Sequence, residues 1–297
     1  MISISIKTNQ LVAAFFFAFY LKVDGFVQKV QSAQSTIMFK ITHPNSPTTS
    51  YLFGTHHAFG KAFFDTLQNA EAALNSCEVL VLKSVEQEGH TVEEIIHSRS
   101  SFTTWEKYLN KKDLAYLKDL FAQSPTDFKK LSPTEMHVFL MRYYRQQVCL
   151  RKAESDSSLS LDNYTGQLAK QNSLEIIGLE TPEEQIVLIN KDVEGMPRKI
   201  HKKRLAGIIK TIRTGDQSGC SETEWYAEMR IDYRLNETCG NSLMLTDRNT
   251  KWMQTLTELL YTKSCFIVVG LSHLMFKCGL INQLKELGYI IEPFSVR

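Results

Sequence analysis

Twice in this chain, a short run of apolar residues ends in a glycine that is followed three residues later by a histidine. The first run, YLFGTHH, covers residues 51–57, and the second, FIVVGLSH, covers residues 266–273. Such short aromatic and β-branched runs predict buried strands, which are typical of parallel sheets. Because ligands bind beyond the carboxyl ends of strands in open α/β sheets, we expect His57 and His273 to face one crevice. There they could coordinate a divalent metal ion, or they could be capping or hydrogen-bonded histidines at the starts of loops.

The remaining periodicity indicates an α/β (α+β) fold with a central mixed, partly parallel sheet and flanking helices. Strands are predicted at 36–43, 50–54, 78–82, 173–178, 264–269 and 289–293. Helices are predicted at 64–75, 113–122, 133–150, 159–171, 194–213, 222–234, 243–261 and 280–287, and another begins at Pro182. The first two strands flank a turn signal and form a predicted hairpin, and the strand–helix–strand order after them implies a parallel pair. Residues 91–171 carry no strand signal, so we predict a helical insert there.

Composition excludes several classes of protein. Of the 297 residues, 43% are apolar and 22% are charged, which is typical of a globular protein and not of a disordered or polytopic membrane protein. The formal net charge is +2, which gives no electrostatic footprint for nucleic acid. Nucleic acid is therefore not an expected partner, and the candidate histidine site leaves a peptide or small-molecule substrate open.

The N-terminal segment differs from the rest of the chain. Residues 11–21 form an unbroken apolar run of eleven, which is too short to span a bilayer but suits the core of a signal peptide. We predict a signal peptide over residues 1–33, with cleavage after Ala33, and a single domain over 34–297. The protein would then be exported, either periplasmic or secreted. The alternatives are a buried first helix and an uncleaved membrane anchor.

Export would permit disulfide bonds among the six cysteines. Cys220 and Cys239 flank a polar segment, and we predict them as the pair if any pair forms. Cys77, Cys149 and Cys265 lie in apolar surroundings, where a buried free thiol is the commoner state.

Two charged residues also fall at predicted strand and helix ends. Glu180 follows the strand at 173–178 and could ligate a metal or act as a general base, or it could simply favour the start of the next helix. Arg248 begins a helix and could bind a carboxylate or an oxyanion, or it could form a surface ion pair. Gly54 and Gly270 would allow the chain to turn beside a bound cofactor.

The order of these motifs resembles the TraB/GumN (TraB/PrgY/GumN) family. The motifs are GTHH at 54–57, GLETPEEQ at 178–185, DRNTKW at 247–252, and VGLSHLMFKCGLINQLKELGY at 269–289. The resemblance covers roughly residues 36–294, and the start of this stretch is similar to exported bacterial members. It implies a fold like that of erythromycin-esterase and ChaN-like proteins.

The resemblance also implies an activity. Animal relatives, the TIKI proteases, are divalent-metal-dependent peptidases whose paired G-x-x-H histidines, with a few acidic and arginine residues, are taken as the active site. Carried over, this marks His57, His273, Glu180 and Arg248. A Mn²⁺, Co²⁺ or Zn²⁺ ion held by His57, His273 and Glu180 would activate water, and Arg248 would hold the substrate carboxylate or the oxyanion. The leading hypothesis is an exported metal-dependent hydrolase of peptide bonds.

One position departs from the family pattern. The family usually has a glutamate at the end of the strand EVLVL, where this chain has Lys83. A cation in this place removes a ligand and repels a metal ion. Three readings follow: a degenerate member that binds or scavenges peptides without cleaving them, compensation by Glu86 or Glu88, or a changed chemistry in which Lys83 is neutral.

Overall fold

Six strands form one mixed sheet in the computed structural model, which describes residues 36–85, 90–152 and 159–297. The strands are β1 Met38–His43, β2 Ser46–Thr55, β3 Val79–Ser84, β4 Glu175–Glu180, β5 Cys265–Gly270 and β6 Ile290–Pro293. Their order across the sheet is β4-β3-β5-β2-β1-β6. The predicted N-terminal signal peptide lies outside the described residues, as do Glu86 and Glu88.

The four strands β4, β3, β5 and β2 run parallel to one another. Their carboxyl ends lie at one edge of the sheet, because Thr55 pairs with Gly270 and Ser84 pairs with Glu180. The strand β5 is buried along nearly its whole length, as expected for a β-branched strand covered on both faces. β1 pairs antiparallel with both β2 and β6, so the sheet is mixed and the predicted α/β class is confirmed.

The first two strands of the predicted strand–helix–strand unit, β2 and β3, are parallel to each other, but they do not pair directly. β2 and β3 are not neighbours, because the distant strand β5 lies between them and pairs with both. The local strand–helix–strand order cannot reveal this, since β5 enters the sheet from the other end of the chain.

Eleven α-helices surround the sheet in the described part of the chain. They are α1 Lys61–Phe64, α2 Gln68–Asn75, α3 Val92–Ser98, α4 Lys111–Leu120, α5 Pro133–Tyr144, α6 Leu161–Gln171, α7 Pro182–Lys191, α8 Arg198–Thr214, α9 Ser221–Ala227, α10 Asp247–Thr262 and α11 Leu280–Glu286. Three of them, α3, α5 and α7, begin with capping boxes built on Thr91, Ser132 and Thr181. In each, the cap side chain and a glutamate three residues later satisfy backbone N–H groups of the first turn.

Some predicted helices differ from the observed ones. The stretch predicted as a helix over 64–75 is split into α1 and α2, and α9 ends at Ala227 instead of continuing to 234. The long predicted helix 133–150 is α-helical to Tyr144 and then continues as a π-helical segment, Arg145–Cys149. The pattern of apolar side chains over such a short stretch does not distinguish a π-helical turn from an α-helical one, so the sequence did not predict the π-helical segment.

The buried apolar residues form two cores. The larger packs around the sheet and includes the fully buried Trp252 and Tyr226. The smaller lies among helices and is built from residues between Ile96 and Tyr144, together with α8 and Cys220. The helices α3, α4 and α5 thus share their own core with α8, whereas α6 packs in the larger core around the sheet.

The disulfide prediction was wrong in its pairing. Cys220 bonds to Cys149, with the two Cα atoms 5.3 Å apart, and Cys239 bonds to Cys278, with the Cα atoms 6.0 Å apart. Both separations suit a disulfide. The π-helical segment after α5 carries Cys149 to the start of α9, a long-range contact that local polarity could not indicate. Cys77 and Cys265 are free and buried, as predicted, but the same prediction was wrong for Cys149, which is disulfide-bonded.

Within the described ranges, no helix has both the length and the apolar character needed to cross a membrane.

Candidate functional site

The carboxyl edge of the parallel strands gathers the residues predicted from sequence. His57 lies two residues beyond the end of β2, Glu180 is the last residue of β4, and His273 lies three residues beyond β5. Lys83 is the penultimate residue of β3, the strand between β5 and β4. Parallel pairing brings these four chain segments together, although they are far apart in the sequence.

Glu180 and Arg248 form a buried ion pair. The Arg248 Nε donates to Glu180 Oε2 at 3.1 Å, and Nη2 donates to Oε1, so both carboxylate oxygens are engaged by one guanidinium. Glu180 is 7% exposed and Arg248 is 9% exposed. The guanidinium carbon of Arg248 also lies 4.8 Å from the centre of the Trp252 ring. A two-pronged contact of this kind fixes both side chains.

His273 is held by the same cluster. Arg248 Nη1 lies 3.3 Å from His273 Nε2, and His273 Nδ1 lies 2.7 Å from the side-chain oxygen of Asn249. Arginine can only donate, so Nε2 is the acceptor and Nδ1 carries the proton, which it donates to Asn249. Burial and the charge of Arg248 lower the pKa of His273 well below its usual value, which agrees with a neutral ring.

His57 and its neighbour His56 have different surroundings. The side chain of His57 is exposed and lines a cavity of about 780 Å³. His56 is buried, and its Nε2 lies 3.5 Å from the carboxylate of Glu222, which also pairs with Arg145. Of the two histidines, only His57 therefore lines the cavity. The other G-x-x-H histidine, His273, is 4% exposed and is not part of the lining.

The cavity lies between the carboxyl ends of β2 and β3, the start of β4 at Ile176, and the helices α5, α6 and α7. Its apolar lining comes largely from Leu82, Val85, Val92, Val138, Met141, Leu159, Ile176 and Ile189. Its charged lining consists of Lys83, Arg142, Arg145, Lys170 and Asp162. A pocket of this size with apolar walls and a few polar groups is typical of a small-molecule or peptide site.

Lys83 links the cavity to the buried cluster electrostatically. The Lys83 side chain is half-buried, and burial is the largest influence that lowers its pKa. The charges of Arg248 and Arg142 lower this pKa further, whereas the carboxylates of Asp162 and Glu180 raise it. In turn, the charge of Lys83 is the largest influence that lowers the pKa of His57, and it also lowers the pKa of His273. The two histidines and Lys83 therefore belong to one electrostatic site.

Several polar groups of the cavity lack partners. Neither Lys83 nor the Arg142 guanidinium makes a hydrogen bond or ion pair with a residue that the structure describes. The side-chain nitrogen of Gln185 is buried without a hydrogen-bond acceptor. Asp162 differs, because its carboxylate accepts a hydrogen bond of 2.9 Å from Thr55.

These residues do not fit a divalent metal ion. Both oxygens of Glu180 and the free lone pair of His273 are directed at Arg248, and Lys83 adds a second cation. Metal ligands must present free lone pairs, and neighbouring cations repel the ion. Across residues 36–85, 90–152 and 159–297, no three His, Cys, Asp or Glu side chains form a group that could hold a metal.

The two glycines of the motifs are not part of the cavity lining. Gly54 lies within β2, and a Cβ atom there would approach Leu271 Cδ1 to 2.6 Å, so close packing accounts for the glycine. A Cβ atom on Gly270 would meet only His273 Cδ2, at 3.7 Å. The proposed contact of these glycines with a cofactor stays a prediction.

Sequence reasoning missed Arg142, Arg145, Asp162, Gln185 and Asn249. A usable signal existed for the first two, since they are arginines three residues apart at the end of an otherwise apolar helical stretch. On a helix that spacing places both on one face. Asp162 and Gln185 lie in the first turns of α6 and α7 and look like ordinary helix-start residues.

The comparisons with known proteins give one result. The model of the TraB/PrgY/gumN family matches residues 37–293. No curated protein and no solved structure matches the chain, so the likeness to erythromycin-esterase, ChaN-like and TIKI proteins stays a prediction. The family match covers most of the chain and confirms the resemblance drawn from the motifs: this protein belongs to the TraB/PrgY/gumN family.

Proposed function

We propose that this protein binds short peptides through their free carboxylate, in the cavity beyond the parallel strands, without cleaving them. It would be a peptide-binding or scavenging member of its family that lacks metal-dependent hydrolysis. The observation that carries the proposal is the pairing of Glu180 with Arg248, together with Lys83 in the wall. Arg248 engages the atoms of Glu180 and His273 that would have to bind a metal ion, and the charge of Lys83 would repel the ion.

The charge of the cavity favours an anion. Four basic residues and one acidic residue line it, and Asp162 is already hydrogen-bonded to Thr55. Arg145 is partly neutralised by Glu222, which leaves Arg142, Lys83 and the exposed Lys170 as the cations without partners among the described residues. A guanidinium can bind a carboxylate through two parallel hydrogen bonds.

The remaining lining favours a peptide over a small inorganic anion. Val92, Val138 and Leu159 are exposed apolar side chains that face this space, and Met141 and Ile189 add to the same wall. A ligand with an apolar body and an anionic end would cover this surface while reaching Arg142. A short peptide with an apolar C-terminal residue has this chemistry.

Two disulfides support the proposal that the protein is exported. The bonds Cys149–Cys220 and Cys239–Cys278 both join segments far apart in the chain. Disulfides of this kind persist in oxidising compartments such as the periplasm and the extracellular space.

Binding can be tested by calorimetry with a short apolar peptide in two forms, the free acid and the C-terminal amide. We expect the free acid to bind more tightly than the amide, by about tenfold or more, since hydrogen bonds to charged groups contribute about 1.5–3 kcal/mol. Arg142→Gln should abolish this difference. The matched control is Arg230→Gln, because Arg230 pairs with Glu228 away from the cavity and should leave binding unchanged. Equal affinities for the two peptides in the unaltered protein would contradict the proposal.

The competing function is the metal-dependent hydrolase predicted from sequence, with Mn²⁺, Co²⁺ or Zn²⁺ at His57, His273 and Glu180. It would require Arg248 to release Glu180 and His273 before a metal could bind. The test is metal content after purification and peptide cleavage with each added ion. We expect no stoichiometric metal and no cleavage that depends on it. Stoichiometric metal with cleavage, both lost in His57→Ala, would overturn the proposed function.

A further inference from the structure

Lys83 is an amine without a partner in a cavity that accepts ligands. It lies near the end of β3, its side chain is half-buried, and it lines the 780 Å³ cavity. It makes no hydrogen bond or ion pair with the residues that the structure describes. A buried or half-buried lysine is normally paired, because an isolated ammonium group is costly to remove from water.

The surroundings of Lys83 favour the neutral amine. Burial acts most strongly, and the guanidinium groups of Arg248 and Arg142 add to it, so the pKa of Lys83 is lowered from its usual value. A lysine that is desolvated or placed beside another cation becomes a nucleophile that can attack carbonyl carbons.

The same cavity contains groups that could assist such an attack. The charge of protonated Lys83 is the largest influence that lowers the pKa of His57, so the ring is neutral while Lys83 is protonated. Once Lys83 loses its proton, this influence is removed and the neutral His57 ring becomes a better proton acceptor. Arg142 can hold a carboxylate, and the unpaired side-chain nitrogen of Gln185 can donate to a ligand oxygen. These roles suit a ligand that has a carbonyl group close to a carboxylate.

We propose that Lys83 forms a reversible imine with small oxo acids that enter the cavity. The Nζ lone pair attacks the carbonyl carbon and a C–N bond forms, while the carbonyl π pair moves to oxygen, which takes up a proton. The carbinolamine then loses its hydroxyl group as water, and the nitrogen gives up both of its protons in the course of the reaction. The product is a C=N bond plus one water molecule, and no oxidant, reductant or metal takes part.

This inference rests on the proposed function in one respect, namely that Arg142 receives a carboxylate. It goes beyond that function, because it assigns covalent chemistry to a residue that peptide binding uses only as a charge. The amine and the carboxylate-binding group lie on different elements, β3 and α5, on either side of the same cavity.

The experiment traps the imine in the full chain. Purified protein is incubated with pyruvate and sodium cyanoborohydride, which reduces an imine to a stable amine, and the modified lysines are identified by peptide mass mapping. We expect one adduct per chain, with Lys83 modified at least tenfold more than any other lysine. Pyruvamide, which lacks the carboxylate, should modify Lys83 much less.

Lys170 provides an internal control, since it is the other lysine of the cavity lining and its side chain is exposed. Lys251→Arg should keep the adduct, because Lys251 pairs with Glu184 and is not part of the cavity lining, and Lys83→Arg should lose it. The measurement in the unaltered protein does not depend on how either variant folds. Modification of Lys83 at the level of surface lysines would overturn the inference.

The outcome is separable from that of the proposed function. If the peptide acid binds more tightly than the amide but pyruvate does not modify Lys83 selectively, the proposed binding function is supported and the imine inference is wrong. If pyruvate modifies Lys83 selectively but the protein binds peptide acid and amide equally well, the imine inference is supported and the proposed binding function is wrong.

Discussion

Arg248 has a structural role whatever ligand the site takes. Its guanidinium engages both oxygens of Glu180, contacts His273 and lies over the Trp252 ring, all in a region that water hardly reaches. A buried ion pair is worth little compared with a well-packed apolar pair, but loss of one partner leaves an unpaired buried charge. The orientation of His273 thus depends on Arg248 as well as on Asn249.

We therefore expect Arg248→Ala to lower the free energy of unfolding by about 3–5 kcal/mol, because it leaves Glu180 buried and unpaired. The matched control is Arg145→Ala. Its partner Glu222 has a side chain that is 44% exposed, so the loss should be about 1 kcal/mol or less. Urea denaturation of the three proteins measures the difference. Equal losses in the two variants would show that the Glu180–Arg248 pair is no more important than a surface pair.

At the scale of elements, the π-helical segment Arg145–Cys149 connects the helical core to the cavity. It follows α5 without a break, and its wider turn carries Arg145 to Glu222 and Cys149 to Cys220. Glu222 in turn contacts His56, the residue before His57. Short π-helical turns of this kind are often found at functional sites. The Cys149–Cys220 bond therefore ties the segment that carries the lining residue Arg145 to the start of α9.

This arrangement predicts different effects for the two disulfides. Replacing both cysteines of either pair by serine should lower the free energy of unfolding by about 2–5 kcal/mol, because each bond closes a long loop. Only Cys149→Ser/Cys220→Ser should also weaken binding of the peptide acid. Neither disulfide lines the cavity, but Cys149 belongs to the π-helical segment that also carries the lining residue Arg145. Denaturation and calorimetry on both double variants provide the comparison. Identical binding in the two would mean that the Cys149–Cys220 bond does not shape the site.

At the scale of the whole molecule, periodicity and strand ends predicted much of what the structure contains. The six strands, the hairpin, the mixed sheet and the position of His57 beside a cavity follow from local patterns in the sequence. What could not be predicted depends on contacts between distant segments: the insertion of β5 between β2 and β3, the disulfide pairing and the capture of Glu180 by Arg248. Glu180 and Arg248 were both identified, but nothing in the spacing indicates that they neutralise each other.

Stability in acid is a property of the whole molecule, to which His137 and Glu222 should contribute in two different pH ranges. Burial, assisted by the charge of Arg204, lowers the pKa of His137 from 6.5 to about 4. The hydrogen bond with His56 and the charge of Arg145 lower the pKa of Glu222 from 4.5 to about 2. The unfolded chain therefore binds more protons than the folded one at His137 between pH 6.5 and 4, and at Glu222 between pH 4.5 and 2. Stability should fall as the pH falls through each range.

We expect His137→Asn to flatten the decline in unfolding free energy between pH 6.5 and 4 while leaving the lower range unchanged. Glu222→Gln should do the opposite, flattening the decline below pH 4.5, because its partners His56 and Arg145 no longer favour an ionised carboxylate. Each variant serves as the control for the other, and urea denaturation at a series of pH values provides the measurement. An unaltered slope below pH 4.5 in Glu222→Gln would mean that the contacts of Glu222 with His56 and Arg145 do not persist in solution. Glu222 would then not connect His56 to Arg145 beside the cavity.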